Sequence, residues 1–269
     1  MKNLISIISM ILLFFIVIGV VLYNDYAVQT LSSISTKKAY VAIIIDDFGN
    51  NRNGVKEMMD LDIPITVAVM PFLPYSVQDA QYAHKKGLDV ILHMPMEPNF
   101  GKPQWLGKKA ITSKLNNKEI RDIINESLNE IKYAVAINNH MGSKITQNKR
   151  IMREILQVLK ERDLFFIDSK TTSKSVSKTL SNDLGIVCLE RDIFLDNKKS
   201  YSHIQKQMNI LASVAHEKGY AIAIGHVGPE GGKITAEVIK KMSSELKKQG
   251  IEFVGITTMK NIIEINNNN

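Results

Sequence analysis

Tyr40-Val41-Ala42-Ile43-Ile44-Ile45-Asp46-Asp47-Phe48-Gly49 is an apolar, β-branched run that breaks abruptly into two carboxylates. The run predicts a buried strand over Tyr40–Ile45. The same grammar recurs along the chain. Strands are expected over Ile65–Met70, Asp89–Leu92, Ala134–Asn138, Leu164–Ile167, Ile186–Leu189, Ala221–Ile224 and Phe253–Ile256. Between them lie amphipathic stretches, with helices expected over Ser76–Lys86, Asn117–Lys132, Asn148–Arg162, Tyr201–Lys218 and Thr235–Lys248. In the second of these, Ile120, Ile123, Ile124, Leu128 and Ile131 form one stripe. Gly87, Gly219 and Gly250 stand where left-handed helix ends are expected. Repeated β-α alternation implies a parallel sheet with helical crossovers. Seven or eight such units favour a closed (β/α) barrel over an open sheet.

The flanks differ in kind. Leu4 to Tyr23 is an uncharged apolar run of 20 residues preceded by Lys2. As a helix it covers about 30 Å, the thickness of a hydrocarbon core. It is longer than a usual secretory h-region and lacks a good cleavage site. Residues 1–24 therefore read as a signal anchor, residues 25–39 as a polar linker, residues 40–265 as the barrel domain and residues 266–269 as a disordered asparagine tail. This organisation places the domain on the extracytoplasmic side of the cell membrane, with secretion after cleavage as the alternative. The 34 Lys and Arg exceed the 27 Asp and Glu by seven, and the positives are scattered along helical faces. That pattern fits solubility or an anionic surface and argues against a nucleic-acid partner. The single cysteine, Cys188 in Ile186-Val187-Cys188-Leu189, excludes an intramolecular disulfide and a cysteine-based zinc finger, and reads as a buried strand residue.

Polar residues gather just after the expected strands: Asp46-Asp47, His93, Asn138-Asn139-His140, Asp168-Ser169, Arg191-Asp192 and His226. In an α/β barrel these ends converge on one face, where sites are built. Two adjacent carboxylates repel each other unless a cation or a shared proton intervenes. Asp46 and Asp47 thus read as one metal ligand and one general base, against the plain alternative of a helix N-cap. His93 and Glu97 share a loop stiffened by Pro95 and Pro98. His140 precedes Gly142, and His226 lies in a glycine-rich segment that does not fit a phosphate-loop frame. Each histidine has a plain alternative as a satisfied core residue. His84, His203 and His216 fall on helices among charged neighbours and read as solvated. Trp105, in a Gly/Pro-rich loop, either stacks on a sugar ring or plugs the loop onto the core. One carboxylate and two imidazoles suit zinc or another divalent first-row ion. A second carboxylate as base and an opposing histidine as acid complete a set able to hydrolyse an amide or ester.

Ile44-Ile45-Asp46-Asp47-Phe48-Gly49, His93-Met94-Pro95-Met96-Glu97-Pro98, Asn139-His140-Met141-Gly142-Ser143, Phe166-Ile167-Asp168-Ser169, Arg191-Asp192-Ile193-Phe194-Leu195-Asp196 and Ile224-Gly225-His226 resemble, in order, the divergent polysaccharide deacetylase family. That family is a distant relative of the NodB-type carbohydrate esterases. The resemblance implies an irregular seven-stranded barrel that removes acetyl groups from N-acetylated sugars with a divalent metal, and hence a cell-wall or capsular polysaccharide as partner. It implies Asp46 as general base, Asp47 as metal ligand, His140 as the first histidine of an H-x-x-x-H metal motif and His226 as general acid. The second motif histidine is replaced by Lys144. His93, arriving from a neighbouring strand end, is the expected substitute. The usual arginine-proline motif is absent where Asp168-Ser169 stands, which leaves Arg191 to orient Asp46. Glu97, Asp168, Arg191 and Trp105 are expected as supporting or substrate-binding residues. The replaced histidine motivates an alternative, a catalytically inactive glycan- or protein-binding module. A further reading is a glycoside hydrolase with Asp46 and Glu97 as its paired carboxylates.

Overall fold

The computed structural model describes residues 38–102 and 105–268, together with Ile18. The expected anchor and linker, apart from Ile18, Lys38 and Ala39, lie outside the described residues. Among the described residues no helix is long and apolar enough to cross a membrane.

From Lys38 onward the chain forms one compact unit. Its strands are β1 (Ala39–Phe48), β2 (Thr66–Val69), β3 (Asp89–Met96), β4 (Ala134–Met141), β5 (Phe165–Asp168), β6 (Cys188–Glu190), β7 (Ile193–Phe194), β8 (Tyr220–His226) and β9 (Ile251–Phe253). Its helices are α1 (Val55–Met59), α2 (Ser76–Lys85), α3 (Asn117–Glu130), α4 (Lys149–Glu161), α5 (Ser177–Leu184), α6 (Tyr201–Lys218), α7 (Lys233–Lys248) and α8 (Ile256–Asn268). The expected helices are present to within a few residues. α3 starts with a reciprocal cap between Asn116 and Glu119 and buries Ile120, Ile124 and Leu128. Gly219 ends α6 in the left-handed conformation at φ 84°. The asparagine stretch expected as a tail enters α8 as far as Asn268.

The strands pair in parallel in the order β6-β5-β4-β3-β2-β1-β8-β7, and β9 also pairs with β1. β8 follows one edge of β1 from Tyr40 to Asp46. β9 takes residues 39–41 and β2 residues 44–48 of the other edge. The closed barrel expected from the repeat count is corrected here. The sheet is curled but open, because no ladder joins β6 to β7 among the described residues. Only Arg191 and Asp192 separate these two strands, and parallel pairing needs a crossover of a dozen residues or more. The chain itself passes over the seam at Arg191 and Asp192, whose backbone N–H groups extend the flanking ladders, Arg191 N to Asp168 O of β5 and Asp192 N to Ile222 O of β8. The last strand is also displaced, from the expected Phe253–Ile256 to Ile251–Phe253. Asp89 explains the shift: its carboxylate accepts from Thr257 N at 2.8 Å and Thr257 Oγ1 at 3.0 Å, starting α8 where continued strand was expected.

Residues alternate between two cores. Ala42, Ile44, Ala68, Ile91, Ala136, Ile167, Leu189, Ile222 and Ile224 fill the inside of the curl with Met259 and Ile263 of α8. Val41, Ile43, Ile45, Val67, Leu92, Ile137, Phe166 and Ala223 face the helices. This parity positions the site. Asp46 continues the inner row of Ala42 and Ile44, His93 that of Ile91, Asn138 and His140 that of Ala136, and His226 that of Ile222 and Ile224.

Candidate metal centre

A cleft of about 650 Å³ opens at the C-terminal ends of the strands, lined among others by Asp46, Asp47, His93, Trp105, His140 and His226. Asp46 and Asp47 are 2% and 5% exposed. Neighbours on a regular strand point to opposite faces, yet both reach this cleft. The cause is a bulge: the β1–β2 register slips between Ile45 and Phe48, and Asp47 sits at φ 69°. A non-glycine residue held in the left-handed region is strained, and such strain persists only where the surroundings enforce it.

Asp47 Oδ1, His93 Nε2 and His140 Nδ1 form a nearly equilateral triangle. His93 Nε2 lies 3.1 Å from His140 Nδ1 and 3.3 Å from Asp47 Oδ1, and His140 Nδ1 lies 3.2 Å from Asp47 Oδ1. Two ligand atoms each about 2.1 Å from a divalent ion, at 90–109°, stand roughly 3.0–3.4 Å apart. The tautomers point the same way. His140 Nε2 donates to Trp105 O at 2.9 Å, and His93 Nδ1 donates to Asn138 Oδ1 at 2.7 Å. With both ring protons committed elsewhere, two lone pairs and a carboxylate oxygen converge. Asp47 Oδ1 is buried and has no hydrogen-bond partner. Only a cation, or an added proton on an imidazole, relieves that convergence. The donor set and its geometry fit a divalent metal ion of the zinc type.

The electrostatics follow from burial and neighbours. Burial raises the Asp47 carboxyl, but the two imidazoles beside it, His140 and His93, outweigh that and hold it well below the usual range. Burial dominates at Asp46 and pushes its carboxyl up; the charges of His93 and His226 oppose the shift and Asp47 adds to it. Burial pushes the His226 imidazole down, yet the hydrogen bond and charge of Asp196, backed by Asp47 and Asp46, raise it to about 9. Asp196 Oδ1 lies 2.8 Å from His226 Nδ1, and Oδ2 accepts from His226 N and Thr235 Oγ1, each at 2.9 Å. Nε2 of His226 is left to the cleft.

Other expected participants are engaged elsewhere. Glu97 does not line the cleft: Oε1 accepts from Lys144 Nζ at 2.5 Å and Oε2 from Ser113 N at 2.6 Å. The pairing of Asp46 with Glu97 for glycoside hydrolysis therefore has no geometric basis, and Lys144 braces a loop outside the triangle. Asp168 shares the outer parity of Phe166, and it accepts from Lys170 N at 2.8 Å and Ser175 Oγ at 2.5 Å. Arg191 directs Nε to Ser169 O at 2.7 Å and a terminal nitrogen to Lys170 O at 3.0 Å, and stacks 3.6 Å from the Phe194 ring centre. Its hydrogen bonds do not reach Asp46; Asn138 Nδ2 does, at 2.8 Å. Trp105 lines the cleft with its side chain 57% exposed. Outside the cleft, Cys188 is buried and its thiol is pushed up to about 12 by that burial. His84 is exposed but stacks on Tyr133 at 4.0 Å. The sequence reading had no role for Asn138 or Asp196. Both stood inside quoted strand-end segments, so their position was visible and their partners were not.

Comparison with known proteins places these features in a family context. The family model described as divergent polysaccharide deacetylase matches residues 43–259. The uncharacterized protein YibQ of Escherichia coli (strain K12) is 32% identical over 206 residues, 77% of this chain and 64% of that protein, so the chain spans somewhat less than two thirds of that relative. The crystal structure of uncharacterized protein ATU2773 from Agrobacterium tumefaciens C58 superposes with a TM-score of 0.73 at 21% identity, covering 82% of this chain and 89% of that one. A Bc1960 peptidoglycan N-acetylglucosamine deacetylase superposes with a TM-score of 0.53 at 14% identity, covering 84% and 95%. At these identities the structures establish a shared fold.

Proposed function

The chain belongs to the divergent polysaccharide deacetylase family, and from that premise we propose that it is a metal-dependent hydrolase removing acetyl groups from an N-acetylated cell-envelope polysaccharide. The observation that carries this reading is the convergence of Asp47 Oδ1, His93 Nε2 and His140 Nδ1, with Asp47 Oδ1 buried and unpaired. These three residues would hold the ion, zinc being the first choice. Such an ion supplies Lewis acidity toward an amide carbonyl and toward water.

The chain's own residues do the rest. Asp46, with its carboxyl raised by burial, accepts the proton of the attacking water. His226, kept protonated by Asp196, delivers a proton from Nε2 to the leaving amide nitrogen. The exposed Trp105 ring and Phe194 offer flat apolar walls to a sugar. Together these steps turn acetamide and water into acetate and a free amine without a covalent enzyme intermediate. We further propose that residues 1–24 anchor the domain on the outer side of the cell membrane. The uncharged run from Leu4 to Tyr23 supports this.

The test is bound metal in the full chain purified without chelator, beside His140→Ala, followed by acetate release from N-acetylated polysaccharides. Near-stoichiometric metal that disappears in His140→Ala, with metal-dependent acetate release, is the expected result. A chain that stays metal-free in excess zinc, yet binds polysaccharide saturably, would favour the inactive binding module.

A further inference from the structure

We propose that Asn138 is a positioning residue that fixes two groups of the site at once: the nitrogen that His93 turns to the metal centre, and the carboxylate of Asp46. The inference rests on the hydrolase reading of this site and deepens it.

Asn138 is fully buried on β4, an unfavourable place for an amide unless all its polar atoms are used. They are used, Nδ2 also reaching Ser169 Oγ at a long 3.5 Å. Nδ2 donates to Asp46 Oδ1 at 2.8 Å, across the curl from β1, and Oδ1 accepts from His93 Nδ1 at 2.7 Å, from the ladder neighbour on β3. A carboxylate only accepts, so Asp46 fixes which end of the amide faces it. The other end is then an acceptor, so His93 must carry its proton on Nδ1 and leave the Nε2 lone pair to the triangle. The orientation of the base thus sets the tautomer of a metal ligand. The bond from Asn138 is the one hydrogen bond to the Asp46 carboxylate among the described residues. An amide is the neutral side chain of this length that offers a donor and an acceptor in one plane. Aspartate at 138 would keep the acceptor for His93 and set a like charge against Asp46. Leucine, of similar shape, would remove both bonds.

The experiment uses the full chain and its Asn138→Leu and Asn138→Asp variants. It measures zinc affinity by chelator competition, acetate release, and the ring-nitrogen shifts of His93 in metal-free protein at a pH where the imidazole is neutral. Asn138→Leu is expected to bind zinc about 10- to 100-fold more weakly and to lose the Nδ1–H tautomer. Asn138→Asp is expected to bind zinc close to wild type while turnover drops about 10²-fold. Zinc affinity and His93 shifts that are unchanged in a folded Asn138→Leu overturn the proposal. If that variant does not fold, Asn138→Asp decides, and wild-type turnover or lost zinc affinity in it overturns the proposal. A wild-type chain that binds no zinc defeats the hydrolase reading instead. The nitrogen shifts then still decide Asn138: a tautomer lost in Asn138→Leu supports the proposal, and an unchanged one overturns it.

Discussion

The end of β1 and the end of β5 carry the same signal in sequence and have opposite fates. Asp47 and Asp168 are both buried aspartates in the last residues of parallel strands. Both share the parity of residues that face the helices, Ile43 and Ile45 in one case and Phe166 in the other. On a regular strand both would point away from the cleft. β5 stays regular, so Asp168 turns outward and is satisfied by Lys170 N and Ser175 Oγ. β1 bulges, and the left-handed turn at Asp47 carries its carboxylate inward, where Oδ1 meets two imidazole lone pairs and no hydrogen-bond donor. The lesson is that strand-end position nominates a residue, but whether its polar atoms are already engaged decides its use. Strain and an unpaired buried oxygen coincide at Asp47 and are both absent at Asp168.

The sharpest way to break this contrast is to remove the inward carboxylate. Asp47→Ala is expected to abolish stoichiometric metal and to reduce acetate release to background; retained metal in elemental analysis would show that the triangle is not the binding site. Asp46→Asn comes next. It removes the proton acceptor and keeps the three ligands, so turnover should fall about 10²- to 10⁴-fold with metal content intact. Steady-state kinetics beside metal analysis separates the two aspartates, and equal metal loss in both variants would merge their roles.

A third test concerns His226 and Asp196. A histidine raised to about 9 keeps its proton through neutral pH, so turnover should fall on the alkaline side near that value. Asp196→Asn weakens the largest raising influence and should move that alkaline limb to lower pH. Stability carries a matching sign. A histidine whose folded pKa exceeds its unfolded value near 6.5 contributes fully below the unfolded value and loses the contribution as pH climbs through about 9. Asp196→Asn should therefore cost more stability at pH 6 than at pH 10, measured by denaturant unfolding. An alkaline limb that does not move would remove Asp196 from control of His226. The outward aspartate predicts a smaller, purely structural effect. Asp168→Ala leaves Lys170 N and Ser175 Oγ without their acceptor and should cost about 1–3 kcal/mol in unfolding, with metal stoichiometry unchanged.

Much of this arrangement was legible before any coordinates. The β-α alternation, five of the helices and the convergence of Asp46, His93, His140 and His226 all follow from period and strand-end position, and strand-end position alone nominates Asp47. Period-two parity, counted from Ile44 and Ile167, also separates Asp46 from Asp168, although strand-end clustering alone treats them alike. What the sequence hid is non-local. The bulge at Asp47 depends on pairing with β2, the tautomer of His93 on an amide from β4, and the start of α8 on Asp89, 168 residues before Thr257. The open seam was hidden for a different reason. The short loop Arg191-Asp192 reads as a polar strand end, and its brevity, which forbids a parallel crossover, becomes informative only once Ile193–Phe194 is known to be a strand.

The smallest expected effect bears on the largest doubt the sequence raised. Lys144 stands where a second motif histidine is expected, and a cation in a metal site would exclude the metal. Its Nζ instead lies 2.5 Å from Glu97 Oε1, with the Lys144 side chain 44% exposed. His93 brings an imidazole to the triangle from the neighbouring strand, so the ligand set does not depend on position 144. A half-exposed ion pair is worth at most about 1 kcal/mol. Lys144→Met should therefore shift unfolding free energy by no more than about that amount and leave both metal stoichiometry and acetate release unaltered. Loss of metal in this variant would mean that Lys144 and Glu97 hold the His140 loop in place. The comparison would then need a third class of residue, one that is engaged elsewhere and yet indispensable to the site.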